Sequence, residues 1–183
     1  MQFIATPIDG LWEIATEKRS DARGSLTRLF CAEEFAVIRP DLRFVQTNLT
    51  LTHKAGSVRG LHFQRPPALE AKLVRCLQGA VHDVVVDLRA GSASFGRWHA
   101  VQLSACNERQ LLIPEGCAHG FQSLCDEVQM LYQHSAFYAP GLEDVLRFDD
   151  ARLAIDWPLP IGPVSERDLA ARGLSDDFEA LQA

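Results

Sequence analysis

The middle of the chain, from about residue 43 to residue 137, is a succession of short apolar-rich segments separated by turn residues. That pattern favours a sandwich or barrel over alternating strand and helix units, and it constrains the fold more than any other feature. It predicts strands at 43–52, 57–64, 72–77, 80–88, 97–104, 110–114, 119–124 and 128–137, a number that suits a jelly roll. Short helices are expected at 31–38 and 165–172, the second capped by Ser165 with Asp168 three positions on. Pro158, Pro160 and Pro163 make the stretch before that helix an extended crossing. With 183 residues and 47% hydrophobic content, one core and one domain spanning 1–183 are expected.

The clearest local geometry is between Lys72-Leu-Val-Arg-Cys-Leu77 and Ala80-Val-His-Asp-Val-Val-Val-Asp87, which only Gln78 and Gly79 separate. Read as a two-residue hairpin, this pairs Leu77 with Ala80, Cys76 with Val81, Val74 with Asp83 and Lys72 with Val85. Lys72 and Asp83 then share one face with Val74, Cys76, Val81 and Val85. An ionisable pair on so apolar a face is costly unless each charge is satisfied, so the face is expected to line a pocket. The opposite face carries Leu73, Leu77, Val84 and Val86, with an exposed His82 across from Arg75. Two apolar faces call for a second sheet on one side and a partner subunit on the other.

Charge excludes some partners. Lysine and arginine total 18 against 24 acidic residues, a net charge of −6 that provides no general field for nucleic acid or an anionic membrane. An anionic ligand would need local arginines. No segment approaches the ~20 apolar residues of a membrane span, and the N-terminus lacks a basic flank followed by an apolar stretch, so a cytoplasmic protein is expected. Cys31, Cys76, Cys106, Cys117 and Cys125 are scattered without a Cys-x-x-Cys pair, which reads as packing thiols.

Two histidines lie in suggestive surroundings. His62 falls inside a strand within Arg59-Gly-Leu-His-Phe-Gln64, and His119 enters another within Pro114-Glu-Gly-Cys-Ala-His-Gly-Phe121. The spacing Pro-x-Gly-x-x-His resembles the second signature of the cupin superfamily, and Gly56-x5-His62 resembles the opening of the first. Metal-binding cupins complete that first signature with a second histidine and a glutamate. Gln64 and Ala68 stand at those places here, and Glu70 is displaced by two. Two remaining histidines are too few for a closed or three-ligand site, so no metal is expected.

The segments 21–24 (DARG), 44–48 (FVQTN), 59–67 (RGLHFQRPP), 72–76 (KLVRC), 79–89 (GAVHDVVVDLR), 114–121 (PEGCAHGF), 131–132 (LY) and 165–168 (SERD) occur in the order and spacing of one family. On these the chain resembles the dTDP-4-dehydrorhamnose 3,5-epimerases from about Ile14 to about Leu169. The resemblance implies an all-β, cupin-type double-stranded jelly-roll barrel with short peripheral helices, acting without a cofactor on a nucleotide-diphosphate sugar, as a homodimer.

Inverting a carbon beside a ketone requires a base on one face, a cation near the developing enolate oxygen and an acid on the other face. Histidine titrates near working pH, lysine is a fixed cation, and tyrosine can return a proton if a nearby positive charge eases its ionisation. The resemblance implies His62 as base, Asp168 as the carboxylate orienting it, Lys72 near the oxyanion and Tyr132 as acid, with His119 and Asp83 paired in the same cavity. For Asp168 a helix-capping role is an equal alternative. The resemblance also implies that Arg23, Gln46, Asn48 and Arg59 hold the diphosphate, with Glu143 and Arg167 nearby. Strict alternation sends Arg59 and His62 to opposite faces. Either a bulge at Gly60 resolves this or Arg59 serves a neighbouring subunit. Leu26, Arg28 and Gln133 depart from the family pattern, which leaves open the sugar, the base of the nucleotide and whether one carbon or two is inverted. A 3-monoepimerase acting on another nucleotide sugar, a metal-dependent cupin enzyme and a non-catalytic sugar-nucleotide binding module are the alternatives.

Overall fold

The computed structural model describes residues 1–183. Its strands are β1 (Gln2–Ala5), β2 (Trp12–Ala15), β3 (Lys18–Asp21), β4 (Gly24–Thr27), β5 (Gln46–Thr52), β6 (Val58–Gln64), β7 (Lys72–Gln78), β8 (Ala80–Asp87), β9 (Trp98–Ser104), β10 (Gln110–Ile113), β11 (Cys117–Ser123), β12 (Val128–His134) and β13 (Glu143–Val145). Helices α1 (Ala32–Phe35) and α2 (Glu166–Leu169) are one turn each. Every strand expected from the sequence is present, though the first begins only at Gln46 and the last stops at His134. Five further strands, β1 to β4 and β13, have three or four residues each, too few to display a periodicity.

Two antiparallel sheets face each other in an all-β, cupin-type jelly roll. One has the order β1-β2-β10-β7-β12-β5, the other β13-β6-β11-β8-β9, and β3 and β4 pair only with each other. Between the sheets, Val74, Cys76, Val128 and Met130 of the first pack against Val81, Val85, Leu103 and Phe121 of the second. Cys117 belongs to this core, where burial pushes its thiol up to about 12. No helix is long and apolar enough to cross a membrane.

The hairpin expected at Gln78-Gly79 does not form. β7 pairs with β10 and β12, whereas β8 pairs with β11 and β9. Each is an interior strand with neighbours on both edges, and Gly79 is the corner where the chain leaves one sheet for the other. Its φ of +78° suits glycine, and a Cβ there would lie 2.7 Å from Cys125 Sγ and 2.9 Å from Val128 Cγ2. The inward set of the two strands is nevertheless as alternation predicts, because Val74, Cys76, Val81 and Val85 all join the central core. Lys72 and Asp83 therefore point between the sheets from opposite walls rather than from one face.

The outer faces are also not as expected. His82 is not across from Arg75: it lies on the outside of the five-stranded sheet, half-buried, its ring 6.0 Å from that of Trp157. The chain's own ends supply much of the cover assigned to a partner. Leu146, Leu153, Leu174 and Leu181 pack on Val84 and Val86, and Phe35 and Leu42 pack on Leu73.

Candidate active site

A cavity of ≈ 280 Å³ opens between the two sheets, and residues of both line it. His62 enters from β6 in the five-stranded sheet, while Lys72 from β7 and Tyr132 from β12 enter from the six-stranded one. Gln46 and Asn48 reach it from β5, His119 from β11 and Glu143 from β13.

Arg59 lines the same cavity as His62, and the way β6 achieves this is visible in its pairing. His119 lies opposite His62, but Phe121 lies opposite Arg59, so β6 spends one extra residue over this stretch. This is the bulge that Gly60 permits. Gly60 has φ +124°, and a Cβ on it would stand 2.6 Å from Gly120 Cα and 2.7 Å from the His119 carbonyl oxygen. Both obstacles are backbone and cannot swing away. Gly60→Ala is therefore expected to destabilise the protein by ~3 kcal/mol or more, visible as a lower thermal midpoint and loss of activity together. An unchanged midpoint would mean that the bulge can be rebuilt without glycine. Arg59 is steadied by bonds from its guanidinium to Thr52 Oγ1 and the Leu51 carbonyl, both 3.0 Å.

Two histidines of the five-stranded sheet that line the cavity are each paired with a carboxylate. His62 Nε2 lies 2.8 Å from Asp168 Oδ1, with the histidine side chain 34% exposed and the carboxylate 3%. The imidazole is thus open to the cavity and its partner is closed off behind it. Burial alone would raise the Asp168 pKa, but hydrogen bonds from His62, the Gly60 N–H at 3.2 Å and Ser165 hold it below the usual carboxylate range. Ser165 is the residue that caps α2, accepting from the Asp168 backbone N–H at 3.1 Å, while the Asp168 carboxylate is turned to His62 and the Gly60 N–H instead of capping the helix. A carboxylate on Nε2 favours the tautomer with its proton there, leaving the Nδ1 lone pair free. The second pair, His119 Nε2 and Asp83 at 2.9 and 3.0 Å, is fully buried.

Tyr132 packs with its ring 6.0 Å from that of His119 and 6.1 Å from that of His134. Burial, reinforced by the nearby Asp83, pushes its phenol well above the ordinary tyrosine value. Arg59 acts the other way, so a positive charge does ease its ionisation, but burial and Asp83 outweigh it. Lys72 is buried, its Nζ 3.3 Å from the His62 carbonyl oxygen and 3.2 Å from Glu70 Oε1.

Arg23 does not reach this cavity. It sits at the tip of the β3–β4 arm, 90% exposed and paired with Asp21 at 2.6 Å. Arg167 also stays outside, lining a neighbouring cleft beside His62 and Asp168, with its guanidinium on Glu143. Glu143 in turn accepts from the Tyr138 hydroxyl at 3.2 Å.

Three ionisable lining residues are not among those expected from the sequence: Glu70, His134 and Tyr138. Alternation held the signal for His134, which shares its parity with Tyr132 on β12, but not for Glu70, which lies in the loop before β7. Gln64, at the place of a cupin metal ligand, is committed to backbone: its amide donates to the carbonyls of Ala68 and Phe137 and accepts from Ala139 N–H. No three His, Cys, Asp or Glu side chains converge in a set that could hold a metal ion.

Comparison with known proteins places these features in a family. The family model described as dTDP-4-dehydrorhamnose 3,5-epimerase matches residues 5–176. The chain is 40% identical over 174 residues to the dTDP-4-dehydrorhamnose 3-epimerase of Streptomyces niveus, covering 94% of this chain and 84% of that one. It is 40% identical over 172 residues to the dTDP-4-dehydrorhamnose 3,5-epimerase of Escherichia coli K12, covering 91% and 92%. Among solved structures, the dTDP-6-deoxy-D-glucose-3,5-epimerase of Legionella pneumophila, in complex with dTDP-4-keto-L-rhamnose, superposes with a TM-score of 0.88 at 39% identity, covering 94% and 92%.

Proposed function

Since this chain belongs to the dTDP-4-dehydrorhamnose 3,5-epimerase family, we propose that it epimerises a nucleotide-linked 4-keto-6-deoxy sugar at carbon 3, carbon 5 or both, without a cofactor. It is an isomerase. The observation that carries the detailed reading is that His62 and Tyr132 approach one cavity from facing sheets, with Lys72 on the same cavity.

In this mechanism His62 Nδ1 takes the proton from a carbon next to the carbonyl. The C–H pair becomes the C=C bond of an enolate, and the carbonyl π pair moves onto oxygen. Lys72 donates a hydrogen bond to that oxygen as its charge grows. Asp168 stabilises the imidazolium. Tyr132 then gives its proton to the carbon from the other side, inverting it, and the phenolate and imidazolium return to their starting states by exchange with solvent. The buried His119–Asp83 pair braces the wall against which the Tyr132 ring packs. Arg59, Gln46 and Asn48 hold the diphosphate, with Glu143 and Arg167 at the edge of the cavity.

The same proposal includes a homodimer. Leu49, Leu51 and Leu77 are exposed on the outside of the six-stranded sheet, and beside them Arg75, only 8% exposed, leaves Nε and Nη1 unpaired. A second copy covering this face supplies partners for both kinds of group. The projecting arm, where Leu26 is 73% exposed, then carries Arg23 to the second copy's cavity. Sedimentation should give twice the chain mass of 20.3 kDa, and Leu49→Glu should shift it toward the monomer. A fully active monomer would overturn this part. The unpaired cysteines suit a reducing compartment, the cytoplasm.

The test of the reaction is incubation in heavy water with a small panel of 4-keto sugar nucleotides. Deuterium should enter carbon 3 or carbon 5 together with an inverted product. No exchange with any of them would sink the proposal.

A further inference from the structure

Along the cavity wall runs a chain of polar groups, two of which, Glu70 and His134, the proposed mechanism does not use. Glu70, in the loop before β7, places Oε1 3.2 Å from Lys72 Nζ and Oε2 2.8 Å from His134 Nδ1. On its far side, His134 Nε2 lies 3.3 Å from Asn48 Nδ2. The side chains of Glu70, Lys72 and His134 are 9%, 9% and 12% exposed. Lys72 and His134 are direct cross-strand partners, as are His134 and Gln46. The chain thus runs from β7 through the loop and β12 to β5, linking the lysine assigned to the enolate oxygen with the amide assigned to the diphosphate.

We propose that Glu70 and His134 are positioning residues for the epimerisation: Glu70 aims and holds Lys72 as a cation, and His134 holds Asn48. The inference rests on the functional reading above and deepens it.

Hydrogen-bond arithmetic supports both roles. An ammonium has three donors. Lys72 directs one to the His62 carbonyl and is ion-paired with Glu70, so donor capacity is left for a ligand in the cavity. A buried lysine without a carboxylate loses its proton more readily, because desolvation penalises the charged form. Glu70 is itself kept ionised: burial would raise its pKa, but His134 and Lys72 together hold it below the ordinary value. For His134, a proton on Nδ1 serves Glu70 and leaves Nε2 to accept from the Asn48 amide. The neutral imidazole therefore satisfies both neighbours, and Asn48 is fixed with its second N–H available.

The other titratable and charged groups on this cavity are His62 and Arg59 from β6, Tyr132 from β12, His119 from β11 backed by Asp83 of β8, Glu143 from β13, and Tyr138. No side chain among them bonds to the Lys72 ammonium, which His62 meets only through its backbone carbonyl; the one side chain paired with it is Glu70. Glu70→Gln keeps the shape and removes the charge. In that variant kcat should fall about tenfold at neutral pH with KM within about twofold, as expected for one lost charge-assisted bond. Lysine then deprotonates at lower pH, so the alkaline limb of the rate profile should move toward neutrality. His134→Gln should instead raise KM about tenfold with a smaller change in kcat. A purely structural role would lower the thermal midpoint of either variant without moving the profile or separating the two constants.

A readout independent of substrate comes from the lysine Nζ signals in 15N NMR. Lys18, Lys54 and Lys72 are the lysines of the chain, and Lys72→Met assigns the third. Its titration should shift to lower pH in Glu70→Gln. An unshifted titration, or a pH profile superimposable on the parent's, overturns the inference while parental activity leaves the reaction itself standing. A parent inactive on every 4-keto sugar nucleotide sinks the reaction, and the lysine titration still decides the role of Glu70.

Discussion

Replacing His62 with alanine is expected to lower both deuterium exchange and epimer formation by ~10²- to 10⁴-fold, the range removed with a well-placed general base. The argument rests on what His62 does not do as much as on what it does. Its side chain is partly open to the cavity and joins no hydrophobic cluster, so few packing contacts go with it. Its one side-chain bond is to Asp168, whose carboxylate retains the Gly60 N–H after the substitution. Leaving that buried carboxylate short of one partner should cost ~1–3 kcal/mol, a modest fall in thermal midpoint. Loss of exchange in a folded protein is the expected combination. A variant that keeps parental exchange rates would remove His62 from the mechanism, whatever else binds in the cavity.

Tyr132→Phe is expected to separate exchange from inversion. The base is untouched in this variant, so deuterium should still enter from the His62 side at a rate within about tenfold of the parent, while inverted product falls by ~10²-fold or more. The phenol enters each turnover protonated; burial makes it a weaker acid, and the positive charge of Arg59 opposes that effect. The ring also packs against the central core, and phenylalanine preserves that contact. Deuterated but uninverted substrate, identified by position and configuration in NMR, is the diagnostic. Inverted product at the parental rate would reduce Tyr132 to a packing residue.

What the sequence made legible followed the range of each signal. Alternation is local, so the inward set of Lys72, Val74, Cys76, Val81, Asp83 and Val85 could be read correctly while their pairing could not. β7 and β8 each need partners far along the chain, and the demands of β10, β12, β9 and β11 outweigh a two-residue spacing. Gly60 announced the bulge, since glycine inside a strand marks a close backbone approach, and that approach brings Arg59 and His62 to one cavity. Arg23 could not be placed in the same way. Its motif gives no distance, and the distance proves too great within one chain. Glu70 and His134 were overlooked because neither residue type is remarkable alone; only the fold places a loop carboxylate between a lysine and a histidine on neighbouring strands.

On the proposed mechanism, the division of acid and base between two packed sheets has a consequence for substrate shape. Sheets stacked face to face keep ~10 Å between their backbones, and here that gap is fixed by the apolar core continuing beside the cavity. A sugar that exchanges protons with both walls must lie flat between them, as in a slot of set thickness. Inverting a ring carbon turns an equatorial group axial, so the ring must flatten or tilt for both epimers to fit the slot. A flattened, enolate-like ring is the thinnest form such a sugar takes, and a slot of set thickness favours it.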